Sequence, residues 1–210
     1  MKYYSQIGQD KKVLEHYSNK KEGYFVEIGA FDGMTLSNTL TMEQIGWNGI
    51  CVEPLPDQFA KLDLNRSCKK YNIAVDRESG QTLDFVVADV LSGDLSRLDT
   101  TRCSVDDRIK VQTINFTELL DDAKAPSFIE FLSLDTEGSE YDILCGLDFS
   151  KYTFGYISVE HNYKEPARSN IRSLLESKGY TYKGENHWDD DYVFNEQPKQ
   201  TFCSFVSRTQ

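Results

Sequence analysis

At 210 residues the chain is long enough to bury one full-sized core and too short for two comfortable ones, so a single domain over 1–210 is expected. Its 23 Lys+Arg stand against 34 Asp+Glu, a net charge of −11, with no stretch gathering more than a pair of basic residues; nucleic-acid affinity comes largely from neutralised phosphates, so such a partner is not expected. No apolar run approaches the ~18 residues that span a bilayer, MKYYSQIGQDKK at the start lacks the apolar core of a signal peptide, and five scattered cysteines without a CxxC pair fit a reduced, cytoplasmic setting.

An N-terminal helical segment covers 1–20, with a helix over 9–18. His16 falls on it as a surface residue. A strand follows at YFVEI (24–28) and runs into GAFDG. In open α/β sheets, ligands sit at the carboxyl ends of strands, and the first strand-to-helix turn is the usual place for a nucleotide-like one. A dinucleotide site wants GxGxxG, so that pyrophosphate can touch backbone amides at a helix N-terminus. The text here does not match, which weighs against an NAD-linked oxidoreductase. It matches instead the looser ExGxxxG pattern of sites for S-adenosylmethionine, a ligand with an ammonium and a sulfonium, to which Glu27 can supply negative charge. Taken alone, the turn is equally compatible with being only a turn.

A helix is expected over 35–46, then a strand GICVE (49–53) ending in Glu53. A carboxylate there can accept both ribose hydroxyl protons. A helix over 57–65 and a strand YNIAV (71–75) continue the alternation. QTLDFVVADV (81–90) alternates at period two and looks like an inserted strand. The polar stretch 91–110 after it reads as a loop that covers a site or moves.

The strand FIEFLSLD (128–135) ends in Asp135 and turns through TEG into a helix over 139–145. The next, GYISVE (155–160), ends in Glu160, followed by His161 and Asn162. These acids and the imidazole converge on one rim. Asp135, Glu160 and His161 are candidates to ligate one divalent ion such as Mg²⁺ or Mn²⁺, which would orient a hydroxyl and lower its pKa. Alternatively His161 is a metal-free general base. The plainer reading makes them solvated rim residues, or helix caps in the case of Asp135 and Ser139. A helix over 167–178 and antiparallel edge strands within 181–194 and at TFCSFV (201–206) complete the chain. His187, beside Trp188, is a candidate to line an acceptor pocket, and the run Asp189, Asp190, Asp191 reads as a solvated turn. Strands alternating with helices in this way indicate an α/β, doubly wound, mostly parallel sheet with an antiparallel edge.

SQIGQD (5–10), FVEIGAFDG (25–33), SNT (37–39), GWNGICVEPLPDQF (46–59), NIAV (72–75), FLSLDTEGSEYDIL (131–144), SVEHN (158–162) and DDDYVF (189–194) together resemble the FkbM-type S-adenosylmethionine-dependent methyltransferases, in the family's order and over nearly the whole chain. The resemblance implies a class I methyltransferase (Rossmann-like) fold and O-methylation of a hydroxyl on a sugar, glycan or secondary metabolite. It implies cofactor contacts at Glu27, Gly29, Ala30, Asp32, Gly33, Ser37, Asn38 and Glu53, with Asn72 and Ala74 near the adenine edge and Gln9 closing over the cofactor. Two departures stand out. Phe31 occupies a place where many class I enzymes carry glycine, and TEGSE lacks the lysine base of some metal-using O-methyltransferases, so the base is expected elsewhere. A non-catalytic binding module on the same fold is the alternative.

Overall fold

The computed structural model describes residues 1–88, 91–101 and 107–195. The expected strand 201–206, and residues 89, 90 and 102–106 of the insertion, lie outside the described residues.

Seven strands form the main sheet: β1 (Tyr24–Ile28), β2 (Asn48–Val52), β3 (Lys69–Tyr71), β8 (Phe128–Leu134), β9 (Thr153–Glu160), β10 (Tyr180–Asn186) and β11 (Asp189–Phe194). Their order is β10-β11-β9-β8-β1-β2-β3. β3, β2, β1, β8 and β9 run parallel, and β11 enters antiparallel between β9 and β10. This is the α/β, mostly parallel sheet with an antiparallel edge of the class I methyltransferase architecture. The order reverses at β1, whose neighbours are β2 on one side and β8 on the other.

Alternate side chains of each strand divide between two cores, as the period of a strand requires. Val26, Ile28, Ile50, Val52 and Leu132 pack with Leu119, Ile143, Leu144 and Leu175. These last residues come from helices α4 (Phe116–Asp122), α5 (Glu140–Cys145) and α6 (Ala167–Ser177). Phe25, Cys51 and Phe131 face the other way, onto Val13, Leu14, Met42 and Leu62 of α1 (Gln9–His16), α2 (Leu40–Gln44) and α3 (Pro56–Asn65). Each fully buried large side chain contributes about 1.5–3 kcal/mol of transfer free energy, so burying both sheet faces in this way drives the doubly wound arrangement.

Three expectations are corrected. The strand over 71–75 is two strands: β3 stays in the main sheet, while β4 (Ala74–Asp76) pairs with β7 (Arg108–Asn115) in a second sheet of order β4-β7-β5-β6, with β5 (Thr82–Val86) and β6 (Gly93–Asp94). The break falls at Asn72, whose side-chain amide donates to the carbonyls of Glu53 and Pro54. The helix over 35–46 is only α2, because side chains intercept the backbone N–H groups before it. The Asp32 carboxylate takes those of Met34 and Thr35, Glu27 takes that of Asn38, and Leu36 is left-handed at φ 56°. The stretch 91–110 is not all loop, since β6 lies within it and β7 starts at Arg108.

The acidic run is also not a solvated turn. Asp189, Asp190 and Asp191 are buried in β11, and each has partners that make burial tolerable. Asp189 accepts from Gln9 and Ser158, Asp190 is bridged by Arg168 and Arg172, and Asp191 pairs with Lys12. Among the described residues no helix is long and apolar enough to cross a membrane.

Candidate active site

At the carboxyl ends of β1, β2, β4, β8 and β9 lies a cavity of about 270 Å³. Its floor is the close approach of β1 to its neighbours. The N–H groups of Gly29 and Ala30 donate to the Val52 carbonyl, and that of Asp135 donates to Ile28. Gly29 is required there, since its φ is 89° and a Cβ would lie 1.7 Å from the Asp135 carbonyl oxygen.

Glu53 closes one end. Its two carboxylate oxygens accept the N–H groups of Phe31 (2.9 Å) and Leu55 (2.9 Å), which fixes the group while leaving a lone pair on each oxygen. Burial pushes its pKa up to about 7, against the opposing pull of those two N–H groups. Beside it, Leu55, Ile73, Ala74, Val75, Leu83 and Phe85 give the cavity an apolar wall, part of it supplied by the second sheet.

At the other end, Asp135, Glu137 and Glu160 bring carboxylate oxygens within 4.8 Å of one another. Glu137 is presented by the turn 136–138, which Glu140 holds by accepting from the N–H groups of Thr136 and Gly138. The Asn162 amide donates to Glu137 at 3.2 Å. Burial, reinforced by neighbouring acids, holds the Asp135 and Glu160 carboxyls well above the usual carboxylate range. Asp189, behind them, is pushed up to about 6 mainly by burial. Phe31, Leu36, Glu137 and Asn162, which all line the cavity, are non-glycine residues with positive φ, and backbone strain of this kind gathers at functional sites.

Among the implied cofactor contacts, Gln9, Glu27, Gly29, Ala30, Ser37, Asn38, Glu53 and Ala74 line the cavity. Three do not. Asp32 caps the turn at Met34 and Thr35, Gly33 packs against Leu62 and Arg66, and Asn72 braces the Glu53–Pro54 turn. Glu27 lines the cavity, yet its carboxylate faces the α1–α3 side, where Ser37, Asn38, Thr39 and the buried Arg66 bind it. Its charge is matched inside the protein, so its work is to order 37–39. Gln9 is oriented by Asp189, to which its amide donates at 3.0 Å.

His161 does not join Asp135 and Glu160. It follows Glu160 at the end of β9, and alternation sends its ring to the opposite face: Nδ1 accepts the Tyr163 N–H and Nε2 lies 3.5 Å from Asp190. Burial lowers its pKa. The residue that completes the acidic group is Glu137, whose signal in the sequence was its place in the TEG turn. Changing His161 to Asn is expected to lower the melting temperature and leave the turnover number at its parent value, read from initial rates at saturating substrate. His16 packs its ring against Tyr17 and Tyr156, and His187 is exposed, while Trp188 lines the cavity.

A family profile described as the methyltransferase FkbM domain matches residues 27–182. No curated protein matches the chain. Among solved structures, a TehB-like SAM-dependent methyltransferase from Corynebacterium glutamicum is 7% identical with a TM-score of 0.47, covering 93% of this chain and 89% of that one. A precorrin-6y C5,15-methyltransferase from Geobacter metallireducens is 13% identical with a TM-score of 0.45, covering 88% and 84%. At those values neither likeness bears on substrate.

Proposed function

The chain belongs to the family of the methyltransferase FkbM domain, and on that premise we propose that it uses S-adenosylmethionine to methylate a hydroxyl of a sugar, glycan or related metabolite. The residues present fit the cofactor. Glu53 retains acceptor capacity for two ribose hydroxyls, and the apolar wall suits adenine. The Asn38 side-chain oxygen is buried without a hydrogen-bond partner, a cost that an ammonium donor would remove. Among the described residues, no Lys, Arg or His lines the cavity, in keeping with a cationic ligand.

The observation that carries O-methylation is the acidic group. When bound, the cofactor supplies a methyl on a sulfonium. What the protein must add is alignment of the acceptor oxygen and removal of its proton. Asp135 and Glu160 offer carboxyls whose raised proton affinity suits taking that proton, and Glu137 stands beside them. Trp188 offers a ring face and Asn162 an amide at the same end, a combination suited to a polyhydroxylated ring. Net charge −11 and the lack of basic residues among the described lining weigh against a nucleic-acid acceptor.

The test is transfer of an isotopically labelled methyl to a panel of free sugars, glycans, amines and RNA, read by mass spectrometry. Label on oxygen of a sugar is the expected result; label confined to amines or RNA would sink this reading.

Two binding results are also expected. Glu53→Ala weakens S-adenosylhomocysteine, because loss of even one hydrogen bond to a charged group corresponds to roughly 10- to 100-fold in affinity. The ionised form of Glu53 is the one that accepts two hydroxyls, and its pKa of about 7 places the titration near neutrality. Affinity should therefore fall by a factor approaching ~10 between about pH 8 and about pH 6, with a proton released on binding. Calorimetry in buffers of different ionisation heat reads both, and a flat profile would count against the role.

A further inference from the structure

Behind Glu27 lies a pair of thiols that methyl transfer does not use. Cys51 is on β2, paired with Lys70 of β3, and Cys68 stands two residues before Lys70. Side chains two apart on a strand share a face, so both sulfurs turn to the α1–α3 side. There Cys51 is buried in the core and Cys68 packs half-buried against it, both as free thiols. Their Sγ atoms are 3.5 Å apart, Cys68 donating to Cys51, and Cys51 in turn donates to Oε2 of Glu27 at 3.7 Å.

The two thiols differ as the halves of an exchanging pair must. Burial pushes the Cys51 thiol up, against the opposing charge of Arg66, so it stays protonated until its turn to react and then has a cation beside its thiolate. Cys68, in the short connection between α3 and β3, is the one a reagent reaches. Closing 3.5 Å to a covalent bond of about 2 Å asks for about 1.5 Å of movement, which falls on that connection rather than on the central strand β2. The connection also carries Arg66, whose guanidinium holds Glu27, Ser37 and Thr39, and Ser67, whose N–H donates to Glu43 at 2.6 Å. Ser37 and Asn38 line the cavity, so a shift of 66–68 reaches the site through Arg66, and Glu27 loses the Cys51 donor at the same time.

We propose that Cys51 and Cys68 form a reversible disulfide site, oxidised by small disulfides of the glutathione type, and that closing it loosens the segment 37–39 beside the cofactor. The Cys68 thiolate attacks one sulfur of the glutathione disulfide, whose S–S bond breaks and releases one glutathione thiolate. Cys51 gives up its proton, attacks Sγ of Cys68 and expels the second glutathione. Two protein thiols are oxidised and one disulfide is reduced to two thiols, so electrons and protons balance. The coupling to the cofactor rests on the reading of the cavity as a methyl-transfer site; the disulfide itself does not.

The test equilibrates the full chain in glutathione buffers of stepped ratio, traps thiols by alkylation and maps linked peptides by mass spectrometry. Reduced and oxidised protein are titrated separately with S-adenosylhomocysteine. A single two-electron transition that links Cys51 to Cys68 and is reversed by dithiothreitol is expected. S-adenosylhomocysteine should bind the oxidised form about three- to tenfold more weakly. By reciprocity, saturating ligand then raises the reduction potential, by about 30 mV for the tenfold case. Cys68→Ser should bind alike in both buffers, which excludes a general effect of the oxidant. Thiols free at every ratio, a stable glutathione adduct on Cys68, or a link to another cysteine overturns the site. A Cys51–Cys68 link with unchanged affinity overturns the coupling. Failure of S-adenosylhomocysteine to bind even the reduced form, with the link still forming, sinks the methyl-transfer reading and leaves the disulfide standing.

Discussion

Changing Asp135 to Asn is expected to slow methyl transfer by about 10²–10⁴, the range that a positioned proton acceptor contributes, while S-adenosylhomocysteine binds as before. Asp135 stands where β8 meets the cavity, with its backbone N–H bound to the Ile28 carbonyl, so an isosteric amide keeps the floor of the site in place. What the amide cannot do is accept a proton. The split between intact binding and lost turnover separates this role from a structural one. Single-turnover rates measured beside a binding isotherm provide the check, and a fall in both by the same factor would contradict it.

The second large effect is on stability. Arg66, 3% exposed, bridges Glu27 at 3.2 Å and Glu43 at 2.6 Å. It also donates to the Thr39 hydroxyl and the Gly33 carbonyl, and its guanidinium lies over the Phe25 ring. Arg66→Met removes the one cation paired with Glu27 among the described residues and strands a carboxylate between the sheet and α3. Breaking a buried pair from one side costs about 3–5 kcal/mol. For a chain of this size that corresponds to a fall in Tm of roughly 6–20 °C. Adding Glu27→Gln should return part of the loss, because the two changes share one interaction. A Tm drop under about 2 °C for Arg66→Met would refute the account.

The main sheet was legible because four of its parallel strands, β1, β2, β8 and β9, are short β-branched or aromatic runs separated by helical patterns, and burial on both faces leaves that signature in any parallel sheet. Glu53 and Asp135 were legible for the same reason: each closes such a run. β7 and α4 carried signals too. Arg108, Lys110 and Gln112 are exposed while Val111 and Thr113 are buried, a period of two, and the Asn115 side chain caps α4 by accepting from Thr117 and Glu118. The density of charge before Arg108 hides that alternation when the stretch is read as a polar loop. His161 shows a limit of a different kind. Its place next to Glu160 puts it on the same rim in one dimension, and only the pleat, which turns successive side chains to opposite faces, sends it to Asp190 instead. The length of α2 was hidden because Glu27 and Asp32, distant from it in pattern, compete for the N–H groups that a longer helix would use.

The absence of any basic residue from the described lining also bears on what happens after the methyl has moved. The cofactor enters with a sulfonium and leaves as a neutral thioether, so the spent molecule carries one positive charge fewer than the fresh one. An acidic enclosure attracts the first and is nearly indifferent to that part of the second; one unit of charge near a carboxylate is worth from about 1 to about 4 kcal/mol at 4 Å, as the surroundings go from water to protein surface. Each turnover thus weakens the hold on its own residue, and exchange of spent for fresh cofactor is favoured by charge alone. Added salt, which screens that difference, should make inhibition by S-adenosylhomocysteine more pronounced relative to the affinity for S-adenosylmethionine.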